Sequence, residues 1–520
     1  MQSDHRTEVK SPEENENSSN KRIAKNAVML YLRMFLTMIV GFYTSRVVLD
    51  TLGVEDYGIY GIVGGVVAMV GFLNASMSGA TSRFLTFELG RGNPKRLAKT
   101  FSSALIVHVG IALIVFVFAE TVGLWFLANK LVIPPERMGA AHWVYQLSIV
   151  STMLGITQVP YNATIIAHEK MDVYAYVEIL SVTLKLLIVY LLTIGNFDKL
   201  ILYATLVFAV GVLILIIYRL YCIRHFPESH FHWVWDKTIL KPLLSFSGWN
   251  LYGNLGGMAQ RQGTNFVINF FFGVVMNAAV SIGLTLANVV NQFASNIMVA
   301  FRPQIIKFYS QNRKEEMRSL TILAIKVIMF IYSLVAVPVY VETQNLLKIW
   351  LVDVPLSAAT FCQLFLISVF FETIRYIIII NIHATGNVKL VSAFAGTVFI
   401  LVPFVAYYLF FLHFSVEVAF VLMILANLLL CIVDVLLVRH YVGISILPYL
   451  KAIGLVCVSS GVSLLVMCRI KLWIPDTYFH IITNTIASVL LVTIFYFALC
   501  FSNDQRRYTL QFIKSKIHLR

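Results

Sequence analysis

The chain has 520 residues, 59% of them hydrophobic and only 13% charged, with a mean hydropathy of +0.80. A soluble domain is roughly 45–50% apolar and about 25% charged, so the composition excludes a soluble globular enzyme, a disordered chain and a nucleic-acid-binding domain. The net charge of +14 would suggest nucleic acid in a soluble protein. Here the positions of the charges matter first, because cytoplasmic loops of membrane proteins collect Lys and Arg.

Residues 1–20 are polar and poor in aromatics, and their composition predicts a disordered cytoplasmic tail. From Lys21 onward, apolar stretches of helical length recur between short polar breaks. A helix needs about 20 predominantly apolar residues to span a bilayer. Fourteen such spans are predicted: 25–49, 57–79, 101–127, 142–165, 174–194, 199–221, 243–272, 277–301, 319–341, 357–382, 390–413, 417–438, 448–468 and 479–501. Open sheet edges cannot be satisfied in hydrocarbon, so every span is read as a helix.

With the N-terminus placed in the cytoplasm and strict alternation, 28 Lys and Arg fall on the inside, 6 on the outside and 6 within spans. That asymmetry supports an even number of spans with both termini cytoplasmic, and it accounts for the net charge. The loops on both sides are short and leave no room for an extracytoplasmic catalytic domain. Cys222, Cys362, Cys431, Cys457, Cys468 and Cys500 show neither metal-ligand nor disulfide-framework spacing and read as small apolar fillers.

The chain also repeats. Leu30-Tyr31 aligns with Leu251-Tyr252, and Leu52-Gly53-Val54 with Phe272-Gly273-Val274, at an offset of about 220 residues. Two six-span copies that both begin inside are parallel repeats. The expected fold is therefore an all-α polytopic membrane protein with about 14 transmembrane helices. It comprises two parallel six-helix bundles, at 21–222 and 243–440, joined by a cytoplasmic linker at 223–242. Two additional transmembrane helices lie within 441–501, and a basic cytoplasmic tail occupies 502–520.

Ionisable groups within spans cost at least ~2.5–3.5 kcal/mol each near the helix centre, so they face protein or water. The first span carries Arg33, read as a cation facing a wet lumen. On the fifth, Glu178, Ser181 and Lys185 share one face. The seventh carries a stripe of Asn250, Asn254, Gly257, Arg261, Thr264 and Ile268 at spacings of 4, 3, 4, 3 and 4, with Gln260, Asn265 and Asn269 alongside. Arg261 lies about 27 Å along the helix from residue 243, too deep to snorkel to that side. The eighth span repeats the pattern with Ser281, Thr285, Asn288, Gln292 and Ser295. On the tenth, Glu372 and Arg375 stand at i and i+3, an arrangement that also suits a structural ion pair. Lys326 and Asp434, near cytoplasmic ends, read as snorkelling or capping groups.

The candidate substrate cavity is thus Arg33, Arg261, Arg375, Lys185, Glu372, Asn250, Asn254, Asn265, Asn288 and Gln292. Its cations select an anionic cargo, and the planar fork of Arg suits phosphate. No Walker A loop is present, so a non-enzyme without ATP hydrolysis, cofactor or metal is expected.

The stretch KRIAKNAVMLYLRMFLTMIVGFYTSRVVLDTLGVEDYGIYGIVGGV and the following SGATSRFLTFELGRGNPKRL resemble the start of bacterial polysaccharide and O-antigen flippases. These belong to the multidrug/oligosaccharidyl-lipid/polysaccharide exporter (MOP) superfamily. The resemblance covers most of the chain; LGVEDYGIY at 52–60 is its most specific part. It implies a V-shaped pair of six-helix bundles around a central cavity. It also implies transfer of an undecaprenyl-pyrophosphate-linked oligosaccharide from the cytoplasmic to the outer leaflet of the inner membrane. Arg33 and Arg261 would be the cavity cations, and membrane lipids, a polysaccharide polymerase and glycosyltransferases the partners, with no nucleic acid. The family usually has about twelve spans, so the last two fall outside its pattern. A multidrug antiporter of the same superfamily, coupled to Na⁺ or H⁺, is the alternative. Such antiporters use acidic residues in the first bundle's cavity, whereas the first span here has no acid before Asp50. The third reading, a membrane glycan polymerase or ligase, lacks the large outer loop that it needs. The resemblance leaves O-antigen, capsule and other polymers open.

Overall fold

The computed structural model describes residues 12–68, 71–129, 133–192, 197–351, 354–355, 357–473, 480–501 and 506. They are all-helical, with no strand among the described residues, and form two compact units, Met1–Leu251 and Tyr252–Arg520. Ten helices among the described residues are long and apolar enough to cross a membrane, and Asn26–Val40 is a shorter apolar helix. The predicted fourth and seventh spans are equally long, but their Asn, Gln, Ser and Thr content lowers their hydropathy. Residues 1–11 of the expected tail, and the C-terminal tail apart from Arg506, lie outside the described residues.

In the first unit, α1 (Pro12–Ala68) runs through the first span into the second. It starts ahead of the expected boundary, and residues 12–20 are helical rather than disordered. Proline suits a first helical position, where its missing N–H has no intrahelical acceptor. The two spans meet at a bend at Gly53, with φ 79° and ψ 165°. The second span continues as α2 (Gly71–Gly90). Gly92 then turns the chain in the left-handed region, φ 67°. Next come α3 (Pro94–Phe118), a π-helical turn at Ala119–Gly123, α4 (Leu124–Asn129), α5 (Met138–Ala167), α6 (Met171–Leu191) and α7 (Lys199–His225). Asn93 caps α3 by accepting from the Arg96 N–H at 3.0 Å. A π-turn misaligns backbone carbonyls, and here the buried Tyr145 hydroxyl donates to that of Ala119 at 2.7 Å. At the outer end by the predicted topology, Arg137 grips both Asp56 and Asp198, while Asp198 caps α7. The Arg137 bond holds the Asp198 carboxyl below its ordinary range.

At the other end, the linker is stapled to this unit. The His168 ring stacks on Phe226 with centroids 4.2 Å apart, and its Nε2 lies 2.5 Å from the buried Glu228 Oε1. Burial, the largest single effect, raises the Glu228 carboxyl, but the His168 bond, a backbone N–H and the His168 charge together outweigh it and the net shift is downward.

In the second unit, α8 (Lys237–Met258), which crosses the unit boundary, leads through a π-turn at Ala259–Gly263 into α9 (Thr264–Ser310). Helix α9 bends at Gly273, with φ 80° and ψ −176°. Gly273 lies 220 residues after Gly53, and Asn312, at φ 59°, lies 220 after Gly92. The repeat legible in sequence is therefore a repeat of backbone geometry. Helices α10 (Lys314–Val341), α12 (Ala358–Thr385), α13 (Lys389–Phe411) and α14 (Glu417–Val442) complete the six spans. The short α11 (Thr343–Trp350) has no counterpart among the elements expected from the sequence.

The two additional spans, α15 (Leu447–Lys471) and α16 (His480–Phe495), pack on α10 through polar pegs. The Tyr496 hydroxyl meets Ser460 at 2.7 Å and Ser333 at 3.0 Å. At the end of these helices that the predicted topology places outside, the buried Glu342 carboxylate lies 3.3 Å from Lys471 and accepts from Asn484 at 2.8 Å. Helices α10, α12 and α15 leave an apolar cavity of about 190 Å³.

Candidate functional site

The seventh span has two faces. Gly256 and Gly263 let it approach α13 closely: a Cβ on Gly256 would sit 2.5 Å from the Gly396 Cα, and one on Gly263 3.2 Å from the Pro403 ring. Arg261 sits in the middle of the π-turn, a local irregularity often found at functional sites. Its Nη2 donates to Glu372 Oε1 of α12 at 2.8 Å. Tyr376, one helical turn beyond on the same helix, lies close to the same carboxylate. The arginine side chain keeps 39% of its surface exposed, against 14% for the glutamate.

Just beyond, Thr264, Asn265 and Ser281 border a small cavity of about 20 Å³ that Arg261 also lines, room for about one water. Thr264 Oγ1 and Asn265 Oδ1 are buried without a protein partner. Further along α9, Thr285, Asn288, Asn291, Gln292 and Ser295 line an open depression of about 470 Å³. The Thr285 hydroxyl is turned back onto the Ser281 carbonyl at 2.8 Å, whereas Asn288 and Gln292 point outward, exposed. Asn254 is exposed and Asn250 half-buried.

The first unit contains a counterpart. Arg33 Nε lies 3.4 Å from Glu178 Oε2 of α6, with 40% of the arginine side chain exposed and 18% of the glutamate. The guanidinium lies over the Tyr174 ring, 5.5 Å from its centroid. Lys185 is exposed and does not share the Glu178 carboxylate.

Arg375 behaves differently. It donates to Asp434 at 2.9 Å and to Asn427 at 3.1 Å, with the two charged side chains 4% and 1% exposed. It is held inside the bundle rather than on an accessible face. Asp434, read from the sequence as a snorkelling or capping group, is instead its buried counter-ion. Glu372 and Arg375, three residues apart on one helix face, each form an ion pair with a residue of a different helix, Arg261 and Asp434 respectively.

Two residues lie outside the cavity set read from the sequence: Glu178, singled out there only for the face it shares with Ser181 and Lys185, and Arg219, which falls beside the loop cations. Arg219 lies on α7, donates to Thr157 at 2.6 Å and Gln158 at 3.2 Å, and stacks on Tyr161. All three of these partners are neutral. Its distance from the span centre gives no hint of this role.

Neither a family model nor a curated protein matches the sequence. Solved structures do match in fold. A mutant MATE transporter superposes with a TM-score of 0.69 at 12% identity, covering 82% of this chain and 96% of that one. A Vibrio cholerae MATE transporter in its bent form gives 0.65 at 15% identity, with 82% and 97% covered. A MOP superfamily transporter from Pyrococcus furiosus, described as having a binding pocket of reverse polarity, gives 0.66 at 13% identity, with 82% and 96% covered. The chain therefore has the helical fold of the MATE transporters of the MOP superfamily, two six-helix halves, with two further helices docked on the second.

Proposed function

We propose that this protein is a flippase of the bacterial inner membrane, carrying polyprenyl-pyrophosphate-linked oligosaccharide from the cytoplasmic to the outer leaflet by alternating access. The observation that carries the reading is Arg261. It stands at a π-turn deep within a polar span, is 39% exposed, and commits one hydrogen bond to Glu372. Its remaining donors can hold a phosphate, and charge-assisted bonds of this kind are worth about 1.5–3 kcal/mol each. Arg33 offers a second cation of the same exposure. Asn288 and Gln292 supply neutral, exposed amides of the type that hydrogen-bond sugar hydroxyls. Such a carrier would work beside the glycosyltransferases and polymerase that make and extend the glycan.

A multidrug antiporter is the second reading, and the MATE neighbours fit it equally well. Reconstitution into proteoliposomes with a fluorescent undecaprenyl-pyrophosphate saccharide separates the two. We expect leaflet transfer that Arg261→Ala reduces more than tenfold (~1.4 kcal/mol), with Arg261→Lys intermediate because it keeps the charge and loses the fork. Absence of transfer, with export of a cationic drug under a Na⁺ or H⁺ gradient, would establish the antiporter instead.

A further inference from the structure

We infer that Glu178 and Glu372 are displaceable counter-ions, one in each half, that keep Arg33 and Arg261 from holding the cargo phosphate too tightly. The inference rests on the flippase reading and deepens it.

Three observations carry it. First, each half carries such a pair, at positions that the 220-residue repeat does not relate. In each half, the arginine of the first helix of the repeat faces a glutamate from another helix of the same half, at 3.4 Å in the first and 2.8 Å in the second. Second, the exposures match. The arginines stand at 40% and 39%, the glutamates at 18% and 14%, so in both halves the cation is presented and the acid stands behind it. The buried Arg375–Asp434 pair, at 4% and 1%, shows what a purely structural pair looks like in this protein. Third, each acid has a neutral neighbour that remains when the arginine turns away. The Thr37 hydroxyl lies 3.3 Å from Glu178 Oε1, and the Tyr376 hydroxyl is the neutral group close to Glu372.

An uncompensated arginine in a poorly hydrated site would bind a pyrophosphate strongly and release it slowly. Transport requires binding favourable enough to admit the cargo and weak enough to let it leave. When phosphate takes the arginine, the half-buried glutamate loses its charge partner, which penalises the bound state. When the cargo moves on, the carboxylate reclaims the arginine. The glutamates are thus positioning residues that set affinity through the arginines.

The test is equilibrium binding of farnesyl pyrophosphate to the full-length protein in detergent, by calorimetry. It is run on the wild type, Glu178→Gln, Glu372→Gln, and the double variant Arg33→Gln/Arg261→Gln. Thermal unfolding is measured on the same samples, and leaflet transfer after reconstitution of each variant into proteoliposomes. Each Gln variant of a glutamate should bind about tenfold more tightly than wild type (~1.4 kcal/mol), transfer cargo more slowly, and unfold within a few degrees of wild type. A structural role predicts the opposite, weaker binding with a lower melting temperature. Wild-type-like or weaker binding in those variants, with the double arginine variant failing to bind, would overturn the counter-ion role while leaving the flippase reading intact. Wild-type binding by the double arginine variant would overturn both. The two glutamates lie in separate halves, so if one variant misfolds, the other still decides the question.

Discussion

Burial divides the arginines into two kinds. Arg375 and Asp434 sit at 4% and 1% exposure, with Asn427 between the charge pair and Ser368. Removing one partner strands the other in a low-dielectric interior, at a cost of about 3–5 kcal/mol, whereas replacing both with apolar residues is often neutral. We expect Arg375→Leu to lower the melting temperature and the yield of folded protein sharply, and Arg375→Leu/Asp434→Leu to recover most of both. Arg261→Gln, at a half-buried position that keeps a neutral hydrogen-bond donor for Glu372, should lower the melting temperature far less. Size-exclusion and thermal-shift measurements on purified protein check all three. Failure of the double variant to recover would show that Arg375 has a further role. The sequence places Arg261 on the right stripe, because a 4-3-4-3 spacing is a property of one helix. It offers Glu372, 111 residues away, only as one acid that could pair with Arg261, and does not offer Asp434 as the partner of Arg375, because those pairings depend on how helices pack.

At the scale of the element, the two bends are informative. Gly53 and Gly273 share φ near 80°, with ψ of 165° and −176°. That region is open essentially to glycine alone, and a side chain there costs about 1–3 kcal/mol of strain. A Cβ added at either site would meet no atom within 4 Å, so the cost is backbone strain and not a clash. Gly257 provides the control: it is helical and equally open, and alanine there should stabilise by up to about 1 kcal/mol. We therefore expect Gly53→Ala and Gly273→Ala to lower the melting temperature and Gly257→Ala to leave it unchanged or raise it. Equal behaviour of all three would mean that the bends are not intrinsic to the glycines. Hydropathy and the 220-residue offset make the helices and the position of both bends legible in the sequence. The π-turn around Arg261 and the short α11 are not, since inserting one residue into a helical turn leaves no periodic trace and eight residues are too few for one.

For the whole molecule, the choice is between two topologies. An even number of spans puts both termini on one side, and hydropathy does not say which side. The charge count does: 28 Lys and Arg on one side against 6 on the other under strict alternation. The structure adds usable probe positions. His230, between the stapled start of the linker and α8, is exposed, and so are Phe197 and Trp473 at the opposite helix ends. Glu228 is unsuitable as a probe, because it is buried against His168. The native cysteines must first be removed, since Cys468 is exposed. On that background, a membrane-impermeant maleimide added to intact cells should label Phe197→Cys and Trp473→Cys but leave His230→Cys unlabelled until the cells are permeabilised. The inverse result would reverse the orientation of all fourteen spans. The cargo would then be met first from the other leaflet, and the direction of transport proposed above would fail with it.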